Sequence, residues 1–307
     1  MEIGFIGLGR MGMNMVKRLH EGGHRVVAWD LDMMKTKEAA KAGAAVAASI
    51  EKLVERLIAP RAVWIMVPAG QPTQDVFARL LVLMESGDIL IDGGNSHYND
   101  SVRRYQEASG RGIRFLDAGT SGGIWGLAEG FCLMAGGDRK AFDKVEPVFK
   151  TLAPKDGYLY CGNAGSGHFV KMVHNGIEYG LLQAYAEGFE LMHASQFGLD
   201  LAAVSRLWNH GSVVRSWLLE LCERAFAKDA SLEKIEGYIA DSGEGRWTID
   251  EAMSRNVPMP VTALSLFVRY ISRQDDSFGN KLIAALRNEF GGHPIKAAPP
   301  EGKGKQA

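Results

Sequence analysis

Cysteine is scarce in this chain. Cys132, Cys161 and Cys222 lie far apart, with no CxxC pair and no histidine spacing that would form a zinc site. This excludes a disulfide scaffold and leaves buried or half-buried thiols in a reducing compartment as the expectation. Charge of one sign is also lacking: 35 basic side chains balance 36 acidic ones, for a net charge of -1. No global field favours nucleic acid or an anionic membrane, so any anion site must be local. No uninterrupted apolar run approaches the roughly 20 residues needed to span a bilayer. No basic stretch precedes an apolar segment at the start, so no signal peptide is expected. A cytoplasmic protein is the resulting expectation.

Glycine, by contrast, is abundant. There are 37 in 307 residues, about 12% against about 7% in average proteins. Glycine permits positive φ and close backbone approach, so a surplus points to several tight ligand loops.

Strand-like and helix-like segments alternate through the first half. Apolar strands are expected at Ile3–Ile6, Arg25–Trp29, Ala62–Val67, Ile89–Ile91, Ile113–Leu116 and Phe131–Met134. Helical stretches separate most of them, including Gln74–Met84 and Ser101–Ser109, which predicts a mostly parallel, doubly wound α/β sheet of Rossmann type. After Tyr158–Gly162 the rhythm changes. Residues 167–197 carry no proline and no strand signal, and Val170, Val173, Ile177, Leu181 and Leu182 recur through them, predicting one long helix. Further helices are expected at Ala202–Asn209, Ser216–Ala227, Thr262–Ser272 and Asn280–Phe290. The expected organisation is a dinucleotide-binding domain over 1–163, an all-α domain over 164–296, and a disordered tail over 297–307.

Gly7, Gly9 and Gly12 form a GxGxxG between a predicted strand and a predicted helix, the context that makes the pattern a dinucleotide fingerprint. Gly7 permits a tight turn, Gly9 admits a pyrophosphate, and Gly12 lets helix and strand pack closely; Leu8, Arg10 and Met11 complete the loop. Asp30 closes the second strand, eighteen positions beyond Gly12. A carboxylate there accepts hydrogen bonds from the adenosine ribose of NAD and repels the extra phosphate of NADP. Asp32 adds negative charge, and Lys35 and Lys37 are the nearest cations. The plainer reading of Asp30 is a cap for the next helix. Val67 and Pro68 end another strand on the same sheet edge.

Three segments carry polar residues that call for a role. Asp92-Gly93-Gly94-Asn95-Ser96 follows a strand, at the carboxyl edge where such folds bind ligands. Asn95 offers donor and acceptor to nicotinamide ribose and substrate together. Ser121, Gly122 and Gly123 follow another strand and can bind a carboxylate or hydroxyl. Taken alone, either loop reads equally as an ordinary turn. In the third segment, Lys171, His174, Asn175 and Glu178 fall at i, i+3, i+4 and i+7, along one face of the predicted long helix. Their neighbours are apolar, so the stripe is expected to be enclosed, with the lysine pKa lowered and the glutamate pKa raised. A surface salt bridge between Lys171 and Glu178 is the plainer reading.

The strings GFIGLGRMGMN, DGGNS, the SGG at 121–123 and above all GSGHFVKMVHNGIEYG (165–180) resemble the 6-phosphogluconate dehydrogenases. GEGRWT (243–248) and RNEFGGH (287–293) resemble later landmarks of that family. The matches run from residue 2 to about residue 293, and the chain is similar to a short, NAD-dependent branch. The resemblance implies oxidation of 6-phosphogluconate at C3 by NAD, loss of CO2, and release of ribulose 5-phosphate. Lys171 would be the base and then, protonated, the donor to the ketone oxygen; Glu178 would protonate C1 of the enediol. No metal is implied.

By the same resemblance, Asn95, Ser121, Gly122, Gly123, His174 and Asn175 hold the sugar acid. Tyr179, Arg246, Arg269, Arg287 and His293 hold its phosphate, for which a planar guanidinium is well suited. The Arg-x-x-Phe-Gly-x-His stretch reaches a partner's site in the family, implying a homodimer or homotetramer. A helix C-terminus favouring cations is the local alternative for Arg287 and His293. Ile124-Trp125 and Arg246 depart from the long family members, which carry glutamates and a lysine there. A β-hydroxyacid dehydrogenase, acting on 3-hydroxyisobutyrate or tartronate semialdehyde, is the main rival and leaves Arg269, Arg287 and His293 without a task. A non-catalytic NAD-binding scaffold has no need of Lys171 with Glu178.

Overall fold

The computed structural model describes residues 1–296; the tail expected over 297–307 lies outside the described residues. The chain begins β1 (Glu2–Ile6), α1 (Arg10–Glu21), β2 (Arg25–Trp29), α2 (Met33–Lys41), β3 (Ala45–Val46), α3 (Ile50–Glu55) and β4 (Ala62–Ile65). It continues α4 (Gln71–Leu83), β5 (Ile89–Asp92), α5 (Tyr98–Ser109), β6 (Arg114–Ser121), a 3-10 turn at Gly123–Trp125 and α6 (Gly126–Glu129). Then come β7 (Cys132–Gly137), α7 (Arg139–Leu152) and β8 (Tyr158–Gly162). The eight strands form one sheet in the order β3-β2-β1-β4-β5-β6-β7-β8. Every pairing is parallel except β6 with β7.

Strand alternation sorts the core into two layers. Ile3 and Phe5, Val26 and Ala28, Ala62 and Trp64, and Ile89 and Ile91 all turn to one face. There they meet Met15, Val16 and Leu19 of α1 and Val145, Val148 and Phe149 of α7. Ile6, Val27, Val63, Ile65 and Leu90 turn to the other face, against Leu53 of α3 and Phe77 and Leu80 of α4. Both faces being covered, the strands read as continuous apolar runs rather than alternating ones. β1 and β4 are neighbours but not consecutive, so the strand order reverses between them. Ligands bind beyond the carboxyl ends of the strands at such a reversal, and the glycine loop after β1 and Val67-Pro68 after β4 lie there.

The remaining helices are α8 (Ser166–His193), α9 (Leu201–Trp208), α10 (Trp217–Lys228), α11 (Glu244–Ser254), α12 (Pro260–Ile271) and α13 (Phe278–Gly291). Contacts divide the chain into two compact units. The first holds Met1–Glu178 together with Gly243–Pro258, so it includes the start of α8 and all of α11. The second holds Tyr179–Ser242 and the chain from Met259 onward. Its small core is Phe189, Leu201 and Leu219, with Tyr185, Met192, Trp208 and Phe226 packed around them. α13 contributes no buried residue, although Phe278, Leu282, Ile283, Leu286 and Phe290 are exposed along it.

Candidate active site

The three fingerprint glycines have three different reasons to lack a side chain. Gly7 sits at φ 99°, and a Cβ there would lie 2.2 Å from the Met66 carbonyl oxygen. A Cβ on Gly12 would lie 2.1 Å from the Gly7 carbonyl oxygen, so α1 packs directly on the loop. At Gly9 nothing lies within 4 Å, which is the open cradle a pyrophosphate needs. Gly9 also starts α1 without a side-chain cap, and the first turn carries no acid. The backbone donors of that turn are therefore available to an anion. The residues fit a dinucleotide.

Asp30 follows β2, and its carboxylate accepts the Leu8 N–H at 2.6 Å and the Asp32 N–H at 2.8 Å. The cap of α2 is Asp32, which accepts from Met34 N–H, and not Asp30. Lys35 lies 4.0 Å from that same Asp32 rather than beside Asp30.

Beyond β5, the fully buried Asp92 carboxylate organises the Gly93–Ser96 loop. It accepts the Gly94 N–H at 3.2 Å and the Ser96 hydroxyl at 2.8 Å, and it pairs with the equally buried Arg104 at 2.8 Å. Asn95 is left exposed on this loop.

α8 is aimed by a carboxylate from another element. Asp117 of β6, fully buried, accepts the Gly165 N–H at 2.7 Å and the His168 N–H at 2.9 Å. Gly119, two residues on, has its α-carbon against the lysine stem: a Cβ there would lie 2.5 Å from Lys171 Cβ. Lys171 is 8% exposed. Burial holds its pKa below that of an ordinary lysine, against the opposing charges of Glu178, Glu244 and Cys132.

A chain of polar contacts runs outward from Lys171. Its Nζ lies 3.3 Å from His174 Nδ1, which is 3.0 Å from Asn175 Oδ1 and 3.9 Å from Glu178 Oε2. The other ring nitrogen, Nε2, lies 3.3 Å from Ser121 Oγ. Nδ1 accepts from the lysine or donates to Asn175, according to the tautomer. The expected stripe is thus real, but its enclosure is graded: Lys171 is buried, while the Glu178 side chain is 41% exposed. Gly122 and Gly123 both take positive φ, 122° and 54°, where a side chain would be strained.

Two features escaped the sequence reading. Glu244, at the start of α11, is a buried carboxylate whose charge acts on Lys171. The α11 turn is fixed there because the single Thr248 hydroxyl proton is shared between Met172 O and Glu244 O, each 2.8 Å from Oγ1. Cys132 is exposed rather than buried, since it pairs with Ser121 at the end of the antiparallel β6–β7 ladder. The string GEGRWT was noticeable for Arg246, which is exposed in the first turn of α11.

In the second unit, Arg269 stacks on Tyr179, its Cζ 3.6 Å from the ring centroid, and donates to Ala240 O at 3.0 Å. The Tyr179 hydroxyl donates to Asp241 at 3.4 Å. Arg287 and His293 are exposed near the end of α13, joined by the His293 N–H to Arg287 O at 3.4 Å. Among the described residues no group of three or more His, Cys, Asp or Glu is placed to hold a metal ion. No helix among them is long and apolar enough to cross a membrane.

Residues 2–162 match the family model for the NAD binding domain of 6-phosphogluconate dehydrogenase, and residues 167–281 match that for its C-terminal domain. A Haloferax volcanii protein named NAD(+)-dependent, decarboxylating 6-phosphogluconate dehydrogenase is 46% identical over 297 residues, covering 96% of this chain and 98% of the relative. YqeC of Bacillus subtilis, provisionally named a 6-phosphogluconate dehydrogenase, is 50% identical over 293 residues, covering 95% of this chain and 98% of the relative. Plasmodium falciparum 6-phosphogluconate dehydrogenase superposes with a TM-score of 0.83 at 30% identity, over 98% of this chain and 67% of that one. A Mycobacterium tuberculosis 3-hydroxyisobutyrate dehydrogenase shares the architecture, with a TM-score of 0.70 at 23% identity over 93% and 99%. Taken with the glycine cradle and the Lys171 face, these matches establish that the chain belongs to the 6-phosphogluconate dehydrogenase family.

Proposed function

We infer that this protein catalyses the NAD-dependent oxidative decarboxylation of 6-phosphogluconate to ribulose 5-phosphate and CO2. The observation that carries this reading is the buried Lys171 amine on one helix face with His174, Asn175 and Glu178. A pKa lowered by burial suits an amine that must accept a proton and return it.

Gly7, Leu8, Gly9, Arg10, Met11 and Gly12 would hold the cofactor pyrophosphate, Asp30 the adenosine ribose, and Val67, Pro68 and Asn95 the nicotinamide side. Bound there, NAD supplies the two-electron acceptor for oxidation at C3. Neutral Lys171 takes the C3 hydroxyl proton at Nζ, and as ammonium it donates to the C3 ketone oxygen while CO2 leaves. Glu178 delivers a proton to C1 of the enediol from its carboxyl oxygen. Ser121, Gly122, Gly123, His174 and Asn175 orient the sugar acid, with Asn95. Tyr179, Arg246, Arg269, Arg287 and His293 take the phosphate.

The Asp30 carboxylate, with Asp32 two residues on, disfavours a 2′-phosphate, so NAD is the preferred cofactor over NADP. The exposed apolar residues of α13, which contribute nothing to their own unit's core, suit burial against a second copy. We assign a homodimer or homotetramer on that basis, with Arg287 and His293 completing a neighbouring site, in the cytoplasm.

The test is reduced-cofactor formation from 6-phosphogluconate with NAD and NADP in parallel, for wild type and Lys171→Met. Turnover with NAD that the substitution abolishes supports the reading. No turnover in folded protein that still binds NAD overturns the substrate.

A further inference from the structure

Arg104 is a fully buried cation that the reaction above does not use. It lies on α5 at 1% exposure, and its guanidinium reaches in two directions. Nη1 donates to Asp92 Oδ2 at 2.8 Å and to Ser96 Oγ at 3.2 Å, at the two ends of the Asn95 loop. Nε donates to Gln74 Oε1 at 3.2 Å, on the first turns of α4. The preceding residue of α4, Thr73, donates its hydroxyl to Pro68 O at 2.8 Å. Gln74 Oε1 also accepts from Arg103 Nη2 at 3.2 Å, but it is the Arg104 guanidinium that connects the loop carrying Asn95 with the helix that anchors Val67-Pro68. The two loops also touch: a Cβ on Gly94 would lie 2.9 Å from the Val67 carbonyl oxygen.

Burying an ion pair this deeply seldom adds net stability, because desolvation offsets the attraction. What the pair does supply is direction. A planar guanidinium with donors on two edges fixes the spacing of whatever it joins, which a lysine cannot do. We propose that Arg104 is a positioning residue, which through Asp92, Ser96 and Gln74 sets the gap between the Asn95 and Val67-Pro68 loops for the nicotinamide end of NAD. The proposal rests on the assignment of those two loops to the cofactor.

Gln74→Leu and Arg104→Lys each remove Arg104's own bond to α4 while leaving a cation beside Asp92, and Arg104→Lys keeps the Arg103–Gln74 bond, so both variants are expected to fold. Initial rates with NAD and with 6-phosphogluconate varied separately, together with melting temperatures, make the test. The expected result is a KM for NAD raised about tenfold, equivalent to about 1.4 kcal/mol, with kcat lowered. The KM for 6-phosphogluconate should stay within about twofold, and the melting temperature near that of wild type. A lower melting temperature with unchanged kinetic constants would make Arg104 merely structural and overturns the proposal. Asn95→Ala separates the two ways of failing. If it weakens use of NAD while the other two variants do not, the loop assignment stands and only the strap fails. If all three are silent toward NAD, both fall.

Discussion

The Asp30 carboxylate accepts the Leu8 N–H at 2.6 Å, so the residue that ends β2 also braces the glycine loop after β1. Under the proposed cofactor assignment, ribose recognition and loop shape would both fall to one side chain. Asp30→Ala is expected to lower kcat/KM for NAD by about 10–100-fold, from the loss of a charge-assisted bond worth about 1.5–3 kcal/mol. Discrimination against NADP should shrink with it. Rates with both cofactors check this, and an unchanged NAD rate would remove Asp30 from the cofactor site.

Gly9 and Gly12 should fail differently when changed to alanine. At Gly12 the added carbon meets backbone at 2.1 Å, so Gly12→Ala should destabilise by about 1–3 kcal/mol. At Gly9 the space is open, so Gly9→Ala should melt within about 0.5 kcal/mol of wild type yet bind NAD poorly. Denaturant melts and NAD titration of both variants separate the two roles.

Lys171→Met should remove about 10²–10⁴-fold of activity and at the same time stabilise the fold. The folded-state pKa of Lys171 is lowered by burial, so between that value and the ordinary lysine pKa the unfolded chain binds more protons. Wild-type stability accordingly rises with pH through that window. At pH 7 the variant escapes the cost of burying or deprotonating that amine and should be more stable by about 0.5–2 kcal/mol. That advantage should narrow as pH approaches the ordinary lysine value. A variant less stable than wild type at pH 7 would contradict the sign.

Glu244→Gln removes one of the charges that hold the Lys171 pKa up. The acid limb of kcat/KM against pH should move to lower pH, since that profile reports the free enzyme. A limb that stays in place would show that Glu244 does not act on the lysine.

Leu286→Asp with Phe290→Asp alters only exposed positions of α13 and should leave the protomer folded. Sedimentation should then show monomers, with activity lost along with Arg287 and His293 from the neighbouring site. A wild type that sediments as an active monomer would remove the shared-site reading.

Much of this was legible in the sequence because the signals were local. The strand after residue 2, the glycine loop, and the long helix over Lys171 each follow from the spacing of neighbouring residues. The reversed direction of β7 did not: beyond Cys132 the strand is buried like its parallel neighbours, and an apolar run does not encode which way it runs. That reversal is what places Cys132 opposite Ser121. Helix α7 was hidden behind Pro147, which lies inside it. Glu244 was missed because an acid in a first helical turn already has a sufficient local explanation in the helix dipole. Its approach to Lys171 depends on Gly243–Pro258 returning to the first unit, a long-range event.

The contact of Gly119 with the stem of Lys171 has a thermodynamic consequence. A free lysine side chain carries about 2 kcal/mol of rotamer entropy, all of which must be surrendered to hold its amine at one point. Here Gly119 lies against the lysine's Cβ and Cγ and the side chain is buried, so few of its rotamers are left. Most of the ordering takes place once, when the chain folds, instead of at every turnover.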